Sequence, residues 1–119
     1  MFERTNTADA CGTSLQGYIS IAPATLVKLF GTPDTCDEYK VSGEYVFKDD
    51  KGRVFTLYDW KDTTLYDREC VTPEERWAST NAYNFHIGAT SNHIASIAEE
   101  ALYELLLGNT ESSLLKLAQ

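Results

Sequence analysis

The chain has 119 residues, 43% of them hydrophobic and 24% charged, which excludes two independently cored domains and excludes the apolar-poor compositions that stay disordered. Eighteen acidic residues against ten basic ones leave a net charge of −8, so counterion-release binding of nucleic acid is excluded as the default activity. No run of eighteen apolar residues and no apolar signal region near the start is present, so neither a membrane partner nor a secretory leader is expected, and the protein is read as soluble and retained inside a cell.

Residues 1–12 are polar and without period, and read as a flexible tail. Leu15, Gly17, Ile19 and Ile21 then alternate with Gln16, Tyr18 and Ser20, the period of a half-buried strand. Pro23 suits the first turn of a helix whose apolar side is Leu26, Val27, Leu29 and Phe30, closed by Gly31. Two alternating runs, 38–48 and 53–61, flank Asp49-Asp50-Lys51-Gly52 and predict a β-hairpin. Pairing Phe47 with Val54 gathers Tyr45, Val41, Tyr58 and Trp60 on one face, and leaves Phe55, Leu57, Asp59 and Lys61 on the other.

Thr72-Pro73-Glu74-Glu75 matches a capping box with proline at the first helical position and predicts a short surface helix. Tyr83, Phe85 and Ile87 alternate with Asn84 and His86 as a last strand. Ile94, Ile97, Ala98, Ala101, Leu102, Leu105 and Leu106 recur at helical spacing up to Gly108, which is read as the stop. Beyond it, Thr110 can cap a short helix over 109–119, whose Leu114, Leu115 and Leu117 call for a homodimer contact or docking on the domain. The expected architecture is a single α+β domain over 13–108, with an about four-stranded, mainly antiparallel sheet and helices packed on one face.

Specific chemistry is sparse. Cys11, Cys36 and Cys70 are odd in number and widely spaced, which fits free thiols, and adding His86 and His93 yields no zinc pattern. No cofactor is expected. Residues 12–18 supply two glycines, two hydroxyls and an amide ahead of a strand, yet lack the lysine and the following helix of a phosphate loop. Tyr18, Tyr58 and Trp60 are flat groups able to stack a base or a peptide. Strand alternation gathers a polar patch of Ser14, Gln16, Tyr18, Asp59, Lys61, Asn84 and His86, taken as the candidate ligand-binding set. It suits hydrogen-bonded recognition of a neutral or singly charged ligand, because no activated nucleophile accompanies it.

The blocks Gly12-Thr13-Ser14-Leu15-Gln16-Gly17-Tyr18-Ile19, Phe30-Gly31-Thr32-Pro33, Tyr58-Asp59-Trp60-Lys61-Asp62 and Phe85-His86-Ile87-Gly88, in that order, resemble a family of small proteins of bacteriophages and large DNA viruses. That family has no established activity. The resemblance implies a viral accessory setting in the host cytoplasm, in which small non-catalytic proteins blunt host defence. The expected function is therefore a counter-defence binding protein that captures a small nucleotide-like or peptide ligand, or a host protein. Two other readings are an acidic nucleic-acid mimic, built on the run from Asp59 to Glu75, and a small hydrolase using His86 with Asp59.

Overall fold

The computed structural model describes residues 2–6, 10, 12–35, 40–61 and 63–118, the stretch 108–118 by its backbone alone. Its elements are β1 (Phe2–Thr5), β2 (Ser14–Ile21), α1 (Pro23–Phe30), β3 (Glu44–Asp49), β4 (Val54–Tyr58), α2 (Pro73–Ala78), β5 (Tyr83–Ala89) and α3 (Asn92–Ala118). The strands form one antiparallel sheet in the order β1-β3-β4-β5-β2. The α+β class and the hairpin stand, with five strands rather than about four. None of the described helices is long and apolar enough to cross a membrane.

The added strand is β1, in residues read from sequence as tail. Four residues are too short for periodicity to register, but Phe2 packs its ring 5.2 Å from Phe47 and 5.3 Å from Phe55. Arg4 fixes the strand from the same side, lying over the Tyr45 ring at 4.8 Å and donating to the Phe30 carbonyl at 3.0 Å.

All three helices cover one face of the sheet. The core is Ile19, Ile21, Tyr45, Phe47, Phe55, Leu57, Phe85, Ile87 and Ala89 from the strands, met by Leu26 of α1 and by Ala95, Ala98 and Leu102 of α3. Spacing of three and four residues puts that α3 trio on one stripe, and two alanines let the helix lie close to the sheet. α1 begins at Pro23 as predicted and ends at Gly31, whose φ of 85° is left-handed and whose N–H returns to the Val27 carbonyl at 2.8 Å. The capping box of α2 is formed, with Thr72 Oγ1 accepting from the Glu75 N–H at 3.1 Å.

Three expectations are corrected. The hairpin pairs Phe47 with Phe55 and Lys48 with Val54, one residue away from the expected register. The reason lies in the turn. Asp49 pairs with Arg53, so the loop holds three residues, and its last, Gly52, takes the left-handed φ of 77° that such a turn requires. A slip of one residue turns a strand over, so Phe55 and Leu57 face the helices while Tyr58 faces away. Second, α3 continues through Gly108 to Ala118, because an interior glycine costs only about 1 kcal/mol and stops a helix only where the chain also turns left-handed. Third, β2 carries a bulge between Leu15 and Gly17, so Leu15, expected in the core, is 43% exposed. Cys11, Cys36, Glu38, Tyr39 and the side chains of Leu114, Leu115 and Leu117 lie outside the described residues.

Two expected outcomes follow from the packing. A Cβ placed on Gly43 would sit 2.6 Å from Cζ2 of Trp77 and 2.9 Å from Cγ of Pro33, so Gly43→Ala should destabilise the fold by about 1–3 kcal/mol in urea titration. Burial acts to raise the Asp49 carboxyl, but hydrogen bonds from the Arg53 backbone and side chain and from the Lys51 N–H outweigh it and hold the group below its ordinary 3.8. The stability this supplies is complete above pH 3.8 and is lost as pH falls through the folded value. The stability gap between wild type and Asp49→Asn should therefore narrow on acidification, and a gap independent of pH would remove the carboxyl from the account.

Candidate ligand-binding face

On the sheet face opposite the helices, one row of side chains runs in register across four strands. Glu44 of β3 pairs with Tyr58 of β4, Tyr58 with His86 of β5, and His86 with Tyr18 of β2. Directly opposed residues of an antiparallel sheet share a face, about 5 Å apart, so the pairing alone brings these four together. The His86 ring has Tyr18 edge-on at 4.9 Å and Tyr58 edge-on at 5.4 Å. Trp60, just past the end of β4, stacks on it at 6.2 Å with an interplanar angle of 26°. Three aromatic rings thus surround one imidazole. Tyr18 remains 49% exposed, and the other three are half-buried.

Two ammonium groups flank this cluster. Lys40 and Lys61 each place Nζ 5.7 Å from the Trp60 ring, and Lys61 also lies 5.4 Å from Tyr66. Lys61 reaches there through a left-handed φ of 56°, held by a 2.7 Å bond from its N–H to the Lys40 carbonyl. On a chain of net charge −8, this face carries two ammonium groups near the Glu44 carboxylate. Beside the row is a recess of about 190 Å³ between Thr13 and Ser14 on one side and Glu44, Tyr58 and Trp60 on the other, with Gly88 at its floor. A Cβ on Gly88 would collide with Thr56 Oγ1, so glycine keeps the floor low. Burial, then the charge of Glu44, then Tyr18 push the Tyr58 hydroxyl above its ordinary 10.0, so it stays a neutral donor at physiological pH.

From the expected set the structure brings together Tyr18, His86 and Lys61, sets Ser14 at the neighbouring recess, and places Asn84 on the same face, exposed, opposite Ser20. Gln16 occupies the bulge and donates from Nε2 to Ser14 Oγ at 2.9 Å, so these two residues bind each other and Tyr18 is the side chain that meets His86. Asp59 is not on this face. It is 1% exposed on the helical side, where Oδ1 accepts from the Ser42 N–H at 2.8 Å and the Gly43 N–H at 3.2 Å. Its Oδ2 accepts from the Ser42 hydroxyl, which in turn accepts from Trp77 Nε1 at 3.0 Å. Both carboxylate oxygens are committed to that clamp, so the His86–Asp59 dyad of a hydrolase is not formed. The hairpin slip explains the exchange: it moved Asp59 inward and Tyr58 and Trp60 outward. Lys40 and Glu44 gave no sequence signal, being ordinary wet-face residues of an alternating strand.

Among the described residues no cluster of histidine, cysteine, aspartate and glutamate has the makings of a metal site, and Cys70 is a free thiol. No protein-family model matches the chain, and no curated protein matches it.

The clamp predicts that Asp59→Ala, which strands two buried N–H groups and a hydroxyl, should lower stability by about 2–4 kcal/mol. Asp59→Asn keeps an acceptor toward the backbone and should cost less. Equal loss in both, measured by chemical denaturation, would show that the acceptor is not what matters.

Proposed function

We propose that the protein is a non-enzymatic binding module that captures a small nucleotide-like ligand on the open sheet face, in the setting of a viral counter-defence protein. The observation that carries this reading is the aromatic cluster around His86 with two ammonium groups at its border. A base stacks on Tyr18, Tyr58 or Trp60 through its π-face, and such contacts are worth about 1–3 kcal/mol per ring. Lys40 and Lys61 suit an anionic group attached to it, and the recess over Gly88 takes a small ring or sugar-sized substituent. Among the described residues the site offers stacking and charged groups, with no nucleophile seen to be held by a base, which favours capture over turnover.

The resemblance adds support in one respect. Three of its four blocks supply this face: the first contributes Ser14 and Tyr18, the third Tyr58, Trp60 and Lys61, the fourth His86 and Gly88. The setting inside an infected host rests on that resemblance.

Native mass spectrometry of the protein purified from its producing cells, followed by calorimetric titration with nucleotides and their nucleosides, tests the reading. A retained or titrated ligand is expected, with affinity reduced about tenfold or more by Trp60→Ala and by His86→Ala at unchanged thermal midpoint. Nucleotides should bind more tightly than the matching nucleosides, and Lys61→Ala should erase that difference. A protein that carries and binds no small molecule, but copurifies with a partner chain, would overturn the proposal.

A further inference from the structure

The two edges of the sheet are built differently. β1 is four residues long, charged at Glu3 and Arg4, and turns Arg4 toward the helices, where it pairs with Asp34 at 3.3 Å. An inward-pointing charge on a short strand is a standard protection against a further strand docking there. β2 has none of these devices along its regular half. Its sequence, Ser-Leu-Gln-Gly-Tyr-Ile-Ser-Ile, contains neither charge nor proline, and among the described residues β5 is its single backbone partner. The bulge at Leu15–Gly17 blunts its first half, but Gly17 to Ile21 pair with β5 without interruption.

We propose that a second copy of the chain pairs antiparallel with this edge, joining two sheets about a two-fold axis at Ile19. The pattern of the strip is self-complementary about that point. Gly17 then faces the partner's Ile21 on the helical side, small against large, and Tyr18 faces the partner's Ser20 on the open side. Charge favours the same occupant. With −8 on each copy most surfaces repel their counterparts, whereas β2 is an uncharged strip where two copies meet at least electrostatic cost. Tyr18, 49% exposed, and Leu15, 43% exposed, border the seam on the open face and lose water there. Five paired residues with these side chains bury less than the ~1,200 Å² of a stable interface, so the association is concentration-dependent, with a dissociation constant on the order of micromolar. The proposal rests on the sheet edge; it shares Tyr18 with the open face, but mass and β2 exchange test it with no ligand present.

Sedimentation equilibrium over about 1 μM to 1 mM decides it, with Ser20→Lys and Ser20→Glu as variants, since Ser20 is exposed and outside the aromatic cluster. The wild-type mass should rise from 13.3 kDa toward twice that value. Each variant alone should stay monomeric at an unchanged thermal midpoint, and an equal mixture of the two should recover the dimer through opposite charges at the seam. Amide exchange of wild-type β2, read residue by residue, should slow with concentration at the N–H groups that point away from β5. That measurement stands even where a variant folds poorly. A wild type that stays monomeric throughout, a dimer unaffected by both substitutions, or β2 exchange independent of concentration would each overturn the proposal.

Discussion

The buried carboxylate of Asp59 is the interaction on which the open face depends. It sits immediately between Tyr58 and Trp60, and its two oxygens tie the end of β4 to Ser42 and Gly43, the residues that lead into β3. Through the Ser42 hydroxyl the same network reaches Trp77 of α2, which packs against Tyr45 and Phe85 in the core. A carboxylate taken out of water at this depth is tolerated only because each oxygen is hydrogen-bonded. In return the backbone on either side is fixed, so Tyr58 and Trp60 are set in place around His86, as the proposed binding role requires. Preorganisation of that kind lowers the ordering cost of binding.

Most of the element pattern was legible in the sequence because it rests on short-range physics. Proline before an apolar triplet, a threonine three residues ahead of a glutamate, and alternation in four strands are local signals, and each element they announce is present. What the sequence concealed was a matter of parity. Taking all four of Asp49-Asp50-Lys51-Gly52 as the turn, where the loop in fact holds three residues, reverses β4, and a single reversal sends Asp59 to the wrong side and hides Tyr58 and Trp60. Alternation reports that a strand has two faces and cannot say which of two similar faces is covered when both carry large apolar groups. Val46, fully buried though it points away from the core face, shows how little the two faces of β3 differ in composition. For the bulge in β2, a glycine inside a strand was the available cue.

The division of labour between the faces is nearly complete. The helical face carries the fused aromatic core from Phe2 through Phe30, Tyr45, Phe47 and Phe55, and the open face carries the tyrosines, tryptophan and histidine of the candidate site. Tyr45 belongs wholly to the first. Its hydroxyl donates to the Gly31 carbonyl at 2.6 Å, and burial, eased by Arg4, pushes it up to about 12. Tyrosines on the two faces of adjacent strands therefore differ in placement, one a buried structural tie and the others half-buried or exposed rings of the candidate site.

The β2 bulge has a meaning in terms of descent. Leu15 pairs with Gly88 and Gly17 with Ile87, so Gln16 is the one residue the partner strand does not count. An unbroken strand lacking Gln16 would send Leu15, Gly17, Tyr18 and Ile19 to the same sides they now occupy. The bulge is thus equivalent to a single-residue insertion absorbed at a sheet edge without inverting anything downstream. Had it fallen inside β4 or β5, flanked by partners on both sides, the same insertion would have broken two ladders at once. Length change in this fold is therefore cheapest in the outermost strand, and that is where lineages carrying the fold are expected to differ by one residue.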